Sequence, residues 1–339
     1  MKRVGYLMQQ ITSLDNIYLA YQKAQRGKQR KKEVINFRER FDENINLLYK
    51  SLSEGNVSVG EYRYFTIHDP KERTICAAPF CERVIQHAIM NVCHEYFDRT
   101  LIDTTYATRK GKGVYAALDK AVTAISRYRY SVKLDVRKYY DSIDHKVLKE
   151  RLRRMFKDKD LLTLFDKIFD SYCVTEGIGL PIGNLTSQYF ANTYLSTLDH
   201  KAKELYHAPI YIRYMDDILI AGDDLNILKE CVRQILEYGE KQLNIMFKPP
   251  IFRKAKDGQT FLGYRVMPYH YKLSGRSKRR FRTKLLKYDR LLETGRWMQN
   301  VYQEHILPLL AFTEHAVSKD FRNSCMKTSG VNRRVGLTA

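Results

Sequence analysis

Two short apolar runs rich in β-branched residues, Ile210-Tyr211-Ile212-Arg213 and Ile218-Leu219-Ile220-Ala221, flank Tyr214-Met215-Asp216-Asp217. Strand-like runs around so short a polar insert predict a β-hairpin that holds two adjacent carboxylates at its turn. A second strand is predicted over Ser131–Val136, with Asp135 near its end. Gly55 and Gly60 lead into two further strands expected over 62–67 and 73–77. Elsewhere the period is helical. Phe41, Ile45, Leu48 and Leu52 share one face, as do Val84, Ile85, Ala88, Ile89 and Val92, which predicts helices from about 41 and over 81–97. The same spacing predicts helices over 115–125 and 225–243, and one long helix over 185–205 that buries Phe190, Tyr194 and Leu198. Asp144 reads as the N-cap of a basic helix running to Phe156, and Asp223-Asp224 as the start of the helix that follows.

Adjacent acids at a hairpin tip repel one another unless a cation sits there, so Asp216 and Asp217 are more than turn formers if a third acid joins them. Asp135 supplies that acid from a neighbouring strand. Mg²⁺ keeps several waters and takes few protein carboxylates, substrate phosphates supplying the other oxygens, and three acids on two strands suit that demand.

The chain has 339 residues, enough for two or three subdomains around one site, and 59 Lys and Arg against 38 Asp and Glu give a net charge of +21. That excess calls for a polyanionic partner. An anionic membrane is disfavoured, because no apolar run approaches the ~18 residues of a spanning helix and no amphipathic helix is set apart by a linker. Gln9-Gln10 and Asp15-Asn16 interrupt any signal-peptide core, and a cytosolic protein is expected. The six cysteines form no C-x-x-C pair and the histidines no H-x-x-x-H pair, so neither zinc nor a disulfide framework is indicated. Basic residues crowd 23–40, and again 276–290, where Phe281, Leu285 and Leu292 add an apolar stripe. The second segment reads as helices laying a basic face on a duplex backbone through Arg276, Lys278, Arg279, Arg280, Arg282 and Lys284. No RNase H or endonuclease domain is expected after it, and 333–339 read as a frayed tail.

The order Asp135-(x)4-Tyr140-Asp141-Ser142-Ile143-Asp144-His145, Leu180-Pro181-Ile182-Gly183-Asn184-Leu185-Thr186-Ser187-Gln188, Tyr214-Met215-Asp216-Asp217 and Phe261-Leu262-Gly263-Tyr264 resembles the successive palm motifs of reverse transcriptases. Arg73-Thr74-Ile75 with Glu82-Arg83-Val84-Ile85-Gln86-His87-Ala88 resembles the fingers motifs, and Thr105–Gly113 the loop before the palm. Ile182 and Gln188 stand where most of the family has Gln and Pro, a pattern similar to the reverse transcriptases of diversity-generating retroelements.

The resemblance implies an α+β right-hand polymerase fold: N-terminal segment and fingers over 1–130, palm over 131–265 with a fingers insertion at about 146–178, and a basic helical thumb with a short tail over 266–339. It implies an RNA-directed DNA polymerase with two Mg²⁺ ions, Mn²⁺ as a substitute, held by Asp135, Asp216, Asp217 and the Val136 carbonyl. Nucleotide binding would fall to Arg73 on the triphosphate, Tyr140 as a gate against the ribose 2′-hydroxyl, Ile182, Gln188 and Lys248. An ordinary packed tyrosine would look the same in sequence as that gate, and plain core packing is the alternative reading of Ile182. Partners implied are a template RNA, an RNA–DNA hybrid, deoxynucleoside triphosphates and a basic accessory oligomer, in a bacterial or phage-encoded system. If the residue at 182 ordinarily hydrogen-bonds the incoming nucleotide, isoleucine there leaves only van der Waals contact and low fidelity is expected; that the errors fall opposite template adenines is what the resemblance implies.

Overall fold

The structure is a computed structural model, and it describes residues 3–68 and 72–329. In chain order the elements are α1 (Met8–Ile11), α2 (Leu14–Ala24), α3 (Lys32–Glu39), α4 (Phe41–Ser53), β1 (Arg63–His68), β2 (Glu72–Ala77), α5 (Phe80–Asp98), α6 (Val114–Arg127) and β3 (Tyr130–Asp135). A 3-10 turn at Tyr139–Ser142 leads to α7 (His145–Met155), α8 (Lys159–Asp170), α9 (Leu185–Tyr194) and α10 (Ser196–Glu204). Then come β4 (Ile210–Tyr214), β5 (Asp217–Gly222), α11 (Leu225–Leu243), β6 (Ile251–Lys254), β7 (Gln259–Phe261), β8 (Tyr264–Met267), β9 (His270–Leu273), α12 (Gly275–Glu293), α13 (Gln299–Glu314) and α14 (Lys319–Ser329).

The chain forms two compact units, each assembled from three stretches of sequence. One takes 1–103, 136–205 and 233–248, the other 104–135, 206–232 and 249–339. In the first, α2 packs along α5, and β1 and β2 form an antiparallel ribbon in which Thr66 faces Thr74. Tyr21, Phe37, Phe41 and Phe80 pack against one another, mostly edge to face, at ring separations of 4.8–5.9 Å and close the base of the helices around α5. In the second, β4, β5, β3 and β6 lie in that order, all antiparallel, and a separate sheet runs β7-β8-β9.

Alternation along the strands decides what the four-stranded sheet can present. Asp217, Leu219 and Ala221 point to one face of β5, since successive side chains alternate. Leu219 and Ala221 pack with Ile212 against Ala117, Leu118 and Ala121 of α6 and against Phe261 and Tyr264, whereas Asp217 lies past the edge of that core. The β7–β8 hairpin turns at Leu262-Gly263, both at positive φ (+48° and +86°), as a tight two-residue turn demands. Tyr264 donates to the Phe312 carbonyl at 2.9 Å, joining this sheet to α13. Beyond it, α12, α13 and α14 enclose Phe281, Leu285, Tyr302, Ile306 and Leu310. Among the described residues no helix is long and apolar enough to cross a membrane.

The expected elements are present within a few residues, and Asp144 does cap α7, accepting from the Val147 amide at 3.1 Å. The helix expected over 185–205 is two helices. It breaks at Leu195, where the Ser196 hydroxyl donates to the Thr193 carbonyl at 2.7 Å and competes with the helical ladder. Phe190, Tyr194 and Leu198 are nevertheless fully buried. The tail at 333–339 lies outside the described residues.

Candidate active site

Register places two of the three acids. Antiparallel pairing of β3 with β5 sets Asp135 directly opposite Asp217, so the two carboxylates leave the sheet side by side on one face. Lys133, two residues before Asp135, shares that face. Its Nζ lies 2.7 Å from Asp217 Oδ1 and 4.0 Å from Asp135 Oδ2, and one ammonium thus serves both acids. The approach to Asp217 Oδ1 lacks hydrogen-bond directionality, and that buried oxygen has no hydrogen-bond donor. Asp216 occupies the second position of the turn, half-buried, while Asp217 is already the first residue of β5.

The turn is held in an uncommon shape. Met215 has φ +51°, the left-handed region that a primed hairpin turn requires at its first position and that a non-glycine residue enters at a cost of about 1–2 kcal/mol. Arg213 holds it there: its guanidinium, fully buried, donates from Nη1 to the Met215 carbonyl at 3.0 Å. The Arg213 backbone is fixed too, its amide donating to Thr104 O (3.0 Å) and its carbonyl accepting from Tyr106 (2.9 Å). The Thr105–Gly113 loop therefore begins as a short parallel bridge to β4.

Among the described residues no three His, Cys, Asp or Glu side chains form a ready metal cage. A pair of carboxylates is nonetheless what Mg²⁺ asks of a protein when phosphates and waters complete its shell, and a buried carboxylate oxygen without a donor suits a cation. The residues present fit the ion.

The residues expected to bind nucleotide belong to the other compact unit. Arg73 is exposed on β2. Tyr140 sits half-buried in the 3-10 turn, with its carbonyl accepting from Leu180 at 2.8 Å. The Ile182 carbonyl accepts from the Cys76 amide at 2.8 Å, so Ile182 leans on the strand that carries Arg73. Gly183 follows at φ +121°, and a Cβ there would stand 3.1 Å from the Cys76 carbonyl. Gln188 is exposed on α9, and Lys248 is half-buried next to Phe247, whose backbone bridges Val136. In the second unit, Arg276, Arg279, Arg280 and Arg282 are exposed on α12 and Lys278 and Lys284 partly covered; Lys278 and Arg282 lie over the Phe321 ring at 5.2 and 5.1 Å.

Several residues without an assigned role in the sequence organise these groups. Glu82 is buried and accepts from the Gly60 amide (3.0 Å) and from Gln86 Nε2 (3.1 Å), and Gln86 Oε1 accepts from the Leu185 amide at the start of α9 (2.9 Å). Asn184 donates to the Tyr62 hydroxyl at 3.1 Å, which also bonds Ser171 at 2.8 Å. Burial pushes the Glu82 carboxyl and the Tyr62 phenol above their usual ranges. The Glu82–Gln86 spacing of four residues was a visible signal, as was Lys133 two positions from Asp135, but neither names its partner.

A twisted antiparallel sheet that sets one strand-end acid opposite another at a strained hairpin is the core of a palm-type polymerase. The sequence profile of reverse transcriptases (RNA-dependent DNA polymerases) matches residues 68–266, more than half of the chain, and the chain belongs to that family. It is similar to protein YkfC of Escherichia coli (strain K12), 21% identical over an alignment of 232 positions, with 55% of this chain and 61% of that protein covered. It is also similar to the group II intron-encoded protein LtrA of Lactococcus lactis subsp. cremoris, 24% identical over an alignment of 230 positions, with 61% of this chain and 38% of that protein covered. Among solved structures, apo telomerase from Candida tropicalis superposes with a TM-score of 0.50 at 13% identity, covering 87% of this chain and 64% of that chain. The fold is the right-hand polymerase fold, and the chain spans less than two thirds of the length of each of these relatives.

Proposed function

We propose that this protein is an RNA-directed DNA polymerase. The observation that carries the proposal is the pairing of Asp135 with Asp217 across β3 and β5, with Asp216 in the adjoining turn, in a chain of the reverse transcriptase family. Asp135, Asp216 and Asp217 would hold Mg²⁺, or Mn²⁺ in its place, with the Val136 carbonyl as a further ligand. When bound, the divalent ions stabilise charge on the attacking 3′-oxygen and on the leaving pyrophosphate. Arg73 grips the triphosphate, Tyr140 fills the space of a 2′-hydroxyl, Gln188 and Lys248 border the nucleotide and primer, and the α12 cations take the hybrid's phosphates. Template RNA and deoxynucleoside triphosphates are the substrates.

The finer reading is error-prone copying of a template repeat opposite adenine, for a diversity-generating retroelement with a basic accessory oligomer. Ile182 supports it, because an apolar side chain beside the base rejects mispairs less strongly than a hydrogen-bonding one. The second reading is an ordinary bacterial reverse transcriptase of a phage-defence or retron-like system. Primer extension on an adenine-rich RNA, with sequenced products, separates them. Extension is expected to need Mg²⁺ and to vanish in Asp216→Asn; extension by that variant rejects the acid assignment. Errors are expected to gather opposite adenine and to fall in Ile182→Gln, whereas an even error rate over the four bases favours the second reading.

A further inference from the structure

The four-stranded sheet aims a cation of its own at the acid pair. Lys133 lies on β3, between β5 and β6, so its backbone is paired on both sides, with Leu219 opposite on β5 and Ile251 opposite on β6. Asp217 is its diagonal neighbour across β5, a separation that a lysine stem spans. Ser131, Leu219 and Ala221, next to the stem on the same face, are fully buried. The Lys133 side chain is itself 16% exposed. Its ammonium therefore enters the site from the core side, on a rigid strand, with little water to retreat into.

The contacts it makes are coulombic. Nζ stands 2.7 Å from Asp217 Oδ1 and 4.0 Å from Asp135 Oδ2, and the nearer contact lacks hydrogen-bond directionality. A divalent ion can thus take Asp217 Oδ1 without breaking a hydrogen bond. What remains is the charge of Lys133, and like charges in one site oppose each other. An ion about 2.1 Å from that oxygen would stand within about 5 Å of Nζ. A unit charge held there weakens the binding of a divalent ion by about tenfold, even at the dielectric of water.

We propose that Lys133 is a built-in competitor of the divalent ion: its ammonium holds Asp135 and Asp217 side by side, and its fixed charge weakens their grip on Mg²⁺ and so sets the free-ion concentration at which the site fills. The inference rests on the reading of Asp135, Asp216 and Asp217 as the residues that hold the ion. Lys133 touches no substrate in this role; it is a positioning residue that acts through the two carboxylates.

Mn²⁺ binding to the full-length protein is followed by the EPR signal of the free ion, at fixed ionic strength and without nucleotide, and the sites that count are those lost in Asp135→Asn. Lys133→Met keeps the stem and removes the charge, and is expected to bind Mn²⁺ about tenfold tighter than the parent. Lys133→Arg keeps the charge, and Lys229→Met removes an exposed and screened one on α11; both are expected to stay within about twofold of the parent. A given concentration of Mn²⁺ is also expected to raise the melting temperature of Lys133→Met by more than that of the parent. Equal affinities of parent and Lys133→Met overturn the inference, and so does equal tightening in Lys229→Met or Lys133→Arg. If Lys133→Met does not fold, Lys133→Gln, whose amide still donates to a carboxylate, carries the same expectation and the same refutation. An ion held alike by the parent and Asp135→Asn refutes the acid reading and the inference with it. An ion lost in Asp135→Asn but held equally by the parent and Lys133→Met refutes the inference alone.

Discussion

Arg213 interrupts an otherwise apolar strand, and its buried guanidinium does what no apolar side chain could: it holds the carbonyl of Met215, a residue in the left-handed region next to Asp216. Replacing it by methionine keeps most of the volume and removes the donor, so Met215 is free to leave φ +51° and Asp216 moves with it. A displacement of about 1 Å at a reacting centre costs up to about 100-fold in rate. Arg213→Met is expected to lower kcat for single-nucleotide extension by about 10- to 100-fold while KM for the nucleotide changes little, and Arg213→Lys to recover part of the loss. If KM and kcat move together, or if lysine rescues nothing although both variants melt like the parent, Arg213 does not position the turn. The acids themselves were legible in the sequence because charge at the end of an apolar strand is conspicuous. Arg213 and Lys133 were visible but mute, since a sequence does not say which carbonyl or carboxylate a long side chain will reach.

At the scale of elements, periodicity located the hairpin, the ribbon and most helices, for burial of one face imposes a period that composition alone does not hide. It failed where side chains override it. The break at Leu195 rests on the Ser196–Thr193 bond, and the buried polar residues Asn184, at the N-cap of α9, and Thr186, Ser187, Asn192 and Thr193, on it, have no apolar period to read. The link from Gly60, ahead of β1, through α5 to α9 was equally hidden, because it runs through Glu82 and Gln86. Its titration can be followed. Burial holds the Glu82 carboxyl above its reference value of 4.5. The folded state then binds the proton more tightly than the unfolded chain, so this contribution is fully present below 4.5 and is lost as pH rises through the raised value. Parent stability in urea should fall across that window relative to Glu82→Gln. The glutamine variant begins lower, because its amide faces the Gly60 or Gln86 donor, but its curve lacks this slope. Parallel curves would mean that the Glu82 carboxyl titrates in the fold as it does in the unfolded chain.

Across the whole molecule the two compact units are threaded through one another in sequence: six stretches alternate between them, and the chain crosses five times, once inside α11. Neither unit is a continuous piece of chain. The unit that begins at the N-terminus needs 233–248, and its dependence is specific. Tyr194, fully buried on α9, donates its hydroxyl to the Leu243 carbonyl at 2.5 Å; Asn244 donates to Asp144, the cap of α7, at 2.9 Å; and the Arg137 amide donates to the Met246 carbonyl at 2.7 Å. A fragment ending at Leu205 leaves the Tyr194 hydroxyl buried without an acceptor, at a cost of about 1–3 kcal/mol, and loses the other two bonds as well. Because small proteins keep only about 5–15 kcal/mol of net stability, such losses together are decisive. The fragment 1–205 is therefore expected to lack a cooperative thermal transition, and co-expression of a second piece covering 225–248 to restore one. A fragment that melts cooperatively alone, with backbone amides of α9 as protected from exchange as in the full chain, would show that these three bonds are dispensable and that the N-terminal unit is held by α2, α5 and the aromatic base beneath them.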